Sequence, residues 1–173
     1  QVLEAAGGQV MALAGDVTAP ADCRGLVERT VARFGRLDVL INNAGINIRK
    51  PPQDYTLEEW RTVIDTNLTS AFLCSQAAYG AFKAAGGGKI INIGSMSGIV
   101  PLSRVFTYSA TKSAVHNLSL NLAREWAPQR VRVNVLVPGF FPAEQNRKIL
   151  QPERIAKIMA HTPMDRFGEA REL

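Results

Sequence analysis

The stretch GSMSGIVPLSRVFTYSATK, Gly94 to Lys112, decides how the rest of the chain is read. It opens where an apolar run, Lys89 to Ile93, ends, and it closes inside a helical pattern that carries Tyr108 and Lys112. Residues four apart share one face of a helix, so the ammonium of Lys112 sits near the phenol of Tyr108. A nearby cation favours a phenolate, and a phenol tuned in this way is a general acid/base usable near neutral pH. The run before Ser95 reads as a buried parallel strand. A hydroxyl at the carboxyl end of such a strand points into the crevice where α/β sheets bind ligands. A tyrosine and a lysine at this spacing also describe many solvated helix surfaces. The serine at the preceding strand end narrows the choice.

Working outward, the same grammar repeats. Toward the N-terminus, Leu37 to Ile41 is a second buried strand, and Asn42-Asn43-Ala44-Gly45 follows as a turn whose small residues let a ligand approach the backbone. Thr56-Leu57-Glu58-Glu59 is a capping box opening a long helix to about Ala85, where Gly86-Gly87-Gly88 ends it. Further back, Pro20 starts a helix that ends near Phe34-Gly35, with Leu26, Val27, Val31 and Phe34 at helical spacing. Gln9 to Ala14 reads as a strand, and the residues before Gly7-Gly8 as a helix tail. In the other direction, the helix of Tyr108 runs to Trp126 and Val131 to Val137 is a strand broken by Pro138-Gly139. Pro152 to His161 is a short amphipathic helix, and Gly168 to Leu173 the start of another. Strands alternating with helices of this length predict a parallel α/β sheet with helices on both faces, in a single domain over residues 1–173.

Bulk properties remove several functions. The chain has 173 residues and 46% hydrophobic content, enough for one domain with a core. No segment has the length and apolarity of a membrane span. The net charge of +5 comes from scattered basic residues without interleaved aromatics, which argues for solvated faces and against a nucleic-acid surface. Cys23 and Cys74 are far apart in sequence and lack metal-ligand spacing; small buried thiols in a reducing cytoplasm are the expectation. His116 and His161 join no acidic cluster, so no metal site is expected.

Asn42–Gly45, Asn67, Ser95, Tyr108, Lys112 and Pro138-Gly139 together resemble the classical short-chain dehydrogenase/reductase family over nearly the whole chain. The resemblance implies a Rossmann-like doubly wound parallel sheet and NAD or NADP as cofactor. It implies that Tyr108 protonates a carbonyl oxygen in reduction, or acts as the base in reverse. Ser95 would hydrogen-bond the same oxygen, and Lys112 would tune Tyr108 and reach the nicotinamide ribose. Asn67 would hold a water in a proton relay to Lys112; read without the family, it is a polar residue that kinks or spaces a helix. Asn43, Ala44 and Gly45 would form a wall beside the adenosine and stabilise the sheet. Asp16 and Val17 would contact adenine, while Pro138, Gly139 and the backbone of Phe140 and Phe141 would approach the nicotinamide. Ala143 stands where the family commonly has a threonine that bonds the carboxamide.

The family's T-G-x-x-x-G-x-G turn is not found, and the chain begins and ends inside helical patterns. The expectation is therefore a Rossmann-like fold incomplete at both ends. In the doubly wound order the strand at Gln9 to Ala14 would have no neighbour, and the edge of the Leu37–Ile41 strand would be bare. The residue that distinguishes NAD from NADP lies at the end of the absent second strand. A second reading is a non-catalytic chain that acts only by pairing through its long helices. The absent glycine turn favours it, and the retained Asn67, Ser95, Tyr108 and Lys112 oppose it; cofactor binding separates the two.

The segments NNAGINIRKP and PGFFPAEQNRK resemble the sugar-acid and polyol branch, the gluconate- and D-mannonate-type oxidoreductases. Arg104, Gln145, Asn146 and Arg147, with Asn47, Arg49 and Lys148, fall in loops after strand ends, where guanidinium suits carboxylate and amides suit hydroxyls. Loops are polar in any case. The expected substrate is a carboxylated polyol or keto-sugar acid. The two long helices carry apolar residues on more than one face, and by resemblance pair with copies of themselves in a homodimer or homotetramer.

Overall fold

The computed structural model describes residues 7–141 and 151–173. These fall into two compact units, Gln1–Leu136 and Val137–Leu173.

In the first unit, helix α1, Pro20–Phe34, begins on its proline and ends at Gly35, whose φ of 81° is the left-handed conformation that glycine adopts without a steric cost. Strand β1, Val39–Asn42, follows. Helix α2, Leu57–Ile64, carries the anticipated capping box: Glu59 N–H donates to Thr56 Oγ1 at 3.1 Å and Thr56 N–H to Glu59 Oε2 at 2.9 Å. The expected long helix is interrupted here. Residues Asp65–Thr69 form a π-helical turn before helix α3, Ser70–Ala84. Strand β2, Gly88–Ile93, helix α4, Phe106–Trp126, and strand β3, Val131–Leu136, complete the unit.

The three strands are parallel in the order β1-β2-β3, with Leu40 beside Ile90 and Ile90 beside Val133. This row points toward the helices. Ala78 and Phe82 of α3 pack with Ile90, Val131 and Val133, and Val27, Leu40, Leu122 and Trp126 close around them. Phe82 and Ile90 are fully buried; side chains of this kind contribute about 1.5–3 kcal/mol each. The architecture is the expected Rossmann-like α/β sheet. β1 is an edge strand of the sheet among the described residues, and Val39 and Ile41 on its alternate face are 41% and 57% exposed.

One element differs. Gln9 to Ala14 forms no strand, because a strand exists only within a ladder and these residues have no hydrogen-bonded neighbour among the described residues. In the second unit, helix α5, Pro152–Met159, buries Ile158, and Gly168 N–H donates to Phe140 O at 2.9 Å. The predicted helix at the C-terminal end is a 3-10 turn, Ala170–Glu172, braced by an ion pair between Arg166 and Glu172.

Candidate active site

Strand β2 delivers Ser95 to the sheet's carboxyl end, where it caps a 3-10 turn over Met96–Gly98. Ser95 Oγ accepts from Ser97 N–H at 3.2 Å and from Ser97 O–H at 3.0 Å. A hydroxyl has two lone pairs and one proton, so two accepted bonds leave the Ser95 proton as its free capacity. The turn is docked onto α4. Ser113 Oγ donates to Gly98 O at 2.6 Å, and a Cβ on Gly98 would lie 2.8 Å from Ser113 N. Only glycine permits this approach, which ties Ser95 to the helix of Tyr108 and Lys112.

On that helix Lys112 lies 5.4 Å from the centre of the Tyr108 ring, the shared face expected from the spacing. Lys112 is 4% exposed. Its ammonium donates to Ile93 O at 2.6 Å, two residues before Ser95. Burial pushes its pKa down to about 8.

Asn67 sits on the π-helical turn and is buried. Its Oδ1 accepts from Ile46 N–H at 2.7 Å, while its Nδ2 donates to Ile46 O at 2.9 Å and to Thr111 Oγ1 at 3.1 Å. Thr111 Oγ1 in turn donates to Tyr108 O at 2.7 Å. Both amide protons are thus engaged, and the side chain clamps the turn after β1 against α4. The spacing role and a place beside Lys112 both fit this geometry. A Cβ on Gly45 would lie 3.4 Å from Asn67 Oδ1 and 3.7 Å from Lys112 Nζ, so the backbone of the NNAG turn faces both groups.

With this arrangement in hand, the sequence profile described as short chain dehydrogenase matches residues 1–154. The chain belongs to the short-chain dehydrogenase family. The chain is 40% identical over 147 residues to a tropinone reductase homolog of Arabidopsis thaliana, covering 84% of this chain and 56% of that protein. It therefore spans a little over half the length of that relative. Among solved structures, a gluconate 5-dehydrogenase from Burkholderia cenocepacia, in complex with NADP and tartrate, is similar at 34% identity and a TM-score of 0.85 over 89% of this chain and 61% of that one. A short-chain type dehydrogenase/reductase from Mycobacterium marinum is similar at 34% identity and a TM-score of 0.92, over 99% of this chain and 68% of that one.

The remaining anticipated residues fall in separate places. Asp16 and Val17 form the loop before α1. Asp16 Oδ1 accepts from Thr18 N–H and Thr18 Oγ1, both at 2.8 Å, and these bonds hold its carboxyl below the usual range. A cleft of about 710 Å³ lies between Asp16 and Thr18 on one side and Arg61, Thr62, Asp65 and Thr66 on the other, next to the turn that holds Asn67. Asn43 and Ala44 follow β1 directly. Their neighbour Asn42 is bonded across the sheet: its Nδ2 donates to Asn92 Oδ1 at 2.8 Å and Ser75 Oγ at 3.1 Å, and Asn92 Nδ2 donates to Ser119 Oγ at 2.8 Å. Pro138, Gly139 and Phe141 belong to the second unit, where the Phe141 ring lies against Gly168. Arg104 is exposed at a left-handed φ of 60° ahead of α4. Ala143, Gln145, Asn146, Arg147 and Lys148 lie outside the described residues.

Asn92 and Ser119 had no signal in the sequence, since each acts through a partner that only the fold supplies, while Ser97 acts locally on Ser95 through the turn they share. Cys23 and Cys74, separated by 51 positions, are also brought together.

Proposed function

We propose that the protein is an NAD(P)-dependent oxidoreductase that interconverts a secondary alcohol and a ketone, on a sugar acid or polyol of the gluconate or mannonate type. The observation that carries this reading is Lys112: a buried ammonium bonded to the strand end below Ser95, facing Gly45, and beside Tyr108. A buried cation is costly unless it has partners. An ammonium has three donors, and one is given to Ile93 O, which leaves capacity suited to ribose hydroxyls.

The cofactor supplies hydride chemistry when bound. The chain's residues do the rest. Ser95, its lone pairs filled by Ser97, donates its proton to the substrate oxygen. Tyr108 donates the proton that neutralises that oxygen in reduction and recovers it in oxidation. Asn67 holds the NNAG turn in place and borders the relay to Lys112. The cleft at Asp16, with Val17, Asn43, Ala44 and Gly45, takes the adenosine; Pro138, Gly139 and Phe141 take the nicotinamide side. Both compact units then belong to one domain over residues 1–173. Arg104, Gln145, Asn146 and Arg147 receive the substrate carboxylate and hydroxyls, a reading supported by the similarity to a gluconate 5-dehydrogenase that binds NADP and tartrate. The protein works in the cytoplasm as a homodimer or homotetramer.

The test is turnover of full-length protein with NAD(P)H and either keto-sugar acids or neutral ketones, tropinone included. Tyr108→Phe is expected to lower kcat by roughly 10²–10⁴. Arg104→Ala is expected to raise KM for acids about tenfold or more, the loss of one charge-assisted hydrogen bond, and to leave neutral ketones unchanged. Equal effects on acids and neutral ketones would remove the sugar-acid assignment. An unchanged Tyr108→Phe would remove the enzymatic one.

A further inference from the structure

Helices α1 and α3 meet at two thiols that the proposed chemistry does not use. Cys23 of α1 and Cys74 of α3 are 1% and 9% exposed. Cys74 S–H donates to Cys23 Sγ at 3.5 Å, and Cys23 S–H donates to Val17 O at 3.2 Å. The thiols thus form a short relay that ends on the loop of Asp16 and Val17. Beside it, a cleft of about 350 Å³ opens along the same helix seam, lined by Pro20, Arg24 and Val27 of α1 and Leu73, Gln76 and Ala77 of α3. Arg24 and Leu73, the chain neighbours of the two cysteines, line this cleft, so the cleft and the thiols share one helix seam although the sulfurs do not line it.

We propose that Cys23 and Cys74 form a reversible intramolecular disulfide, a modification site at which a hydroperoxide joins α1 to α3. One sulfur attacks the peroxide, the O–O bond breaks, and a sulfenic acid forms with release of water or alcohol. The second sulfur attacks the sulfenic sulfur, the S–S bond forms, and water leaves. Two thiols lose two electrons and two protons, and the hydroperoxide is reduced. The sulfurs need roughly 1.5 Å of further approach to reach bonding distance. Burial pushes the Cys74 thiol up to about 12, so attack by that sulfur is slow at neutral pH and accelerates as pH rises.

The disulfide has a structural consequence. A disulfide sulfur carries no proton, so Val17 O loses its S–H donor while Asp16 N–H keeps its bond to Asp22 Oδ2. The loop is loosened on its Val17 side only. Any effect on cofactor affinity rests on the proposal that Asp16 and Val17 contact adenine; the disulfide itself does not.

Native full-length protein is exposed to hydrogen peroxide at several pH values, quenched with an alkylating agent, digested without reductant and weighed by mass spectrometry. The expected result is a Cys23–Cys74 linked peptide, two hydrogens lighter than the sum of its parts. Its rate of formation rises severalfold for each pH step between roughly 7 and 9, and dithiothreitol reverses it. Cys23→Ser and Cys74→Ser each abolish it. Alkylation of both thiols, or their separate conversion to sulfinic acids with no linked peptide, would overturn the proposal. NADPH affinity is then compared in the two states by fluorescence. A two- to tenfold weaker Kd after oxidation, the size of one hydrogen bond, is expected. Equal affinity sinks the coupling to the adenine loop. A protein that forms the disulfide yet binds no dinucleotide in either state sinks the cofactor reading and leaves the disulfide standing.

Discussion

Lys112 is where the site's chemistry and the fold's stability meet. In the unfolded chain it has the ordinary lysine value of 10.5, and in the folded protein burial lowers this to about 8. Between those values the unfolded state holds a proton that the folded state has released, so stability rises with pH across the window. Below about 8 both states are protonated and the fold bears the whole cost of a buried ammonium, which for this interval is about 3 kcal/mol. Above 10.5 the cost is gone. Urea unfolding of wild type and Lys112→Met over this range checks it, since other titrating groups cancel in the difference. Wild type should gain up to about 3 kcal/mol on the variant between pH 8 and 10.5. A difference that stays flat would mean that Lys112 keeps its ordinary value.

At the scale of the element, two glycines with opposite surroundings separate packing from propensity. Nothing lies within 4 Å of a Cβ built on Gly25 in the middle of α1, so Gly25→Ala should stabilise by about 0.5–1 kcal/mol through helix propensity alone. On Gly98 the added carbon meets Ser113 N at 2.8 Å and Lys112 C at 2.9 Å, both backbone atoms that cannot move aside. Gly98→Ala should cost about 1–3 kcal/mol and lower kcat, because the turn that carries Ser95 must lift off α4. Thermal melts of both variants decide it: matching shifts would contradict the docking of this turn. The helix starts and stops were legible for local reasons. Pro20, Gly35 and the Thr56–Glu59 capping box act through their own few residues, and the Tyr108–Lys112 pair needs only helical spacing. The π-helical turn at Asp65–Thr69 was not legible, because one extra residue in a helix leaves no mark on composition. The Asn42–Asn92–Ser119 chain and the Cys23–Cys74 contact were hidden for another reason: each joins segments whose approach is decided by the fold. The strand read at Gln9 to Ala14 failed from the reverse cause, since its apolar pattern describes a strand only when a neighbour supplies the ladder.

Over the molecule as a whole, several large apolar side chains remain at the surface of the first unit, and two pairs of them bear on assembly. Val39 and Ile41 lie on the sheet, while Phe72 of α3 and Leu120 of α4 lie on the helices, 42% and 70% exposed. The proposed pairing of copies uses Phe72 and Leu120. Leu120 follows the buried Ser119 and points away from the core helped by Leu122 and Trp126, which leaves it for another chain. A stable pair needs roughly 800 Å² per partner, more than one side chain provides, so both helices must take part. Light scattering of full-length protein should give two or four times the chain mass. Leu120→Arg combined with Phe72→Arg should reduce it to one, because a desolvated unpaired guanidinium on a two-fold axis meets its own copy. The far-ultraviolet spectrum should be unchanged, since neither side chain belongs to the core. If the doubly substituted protein keeps the wild-type mass, α3 and α4 are not the interface and the exposed sheet face at Val39 and Ile41 becomes the surface to test.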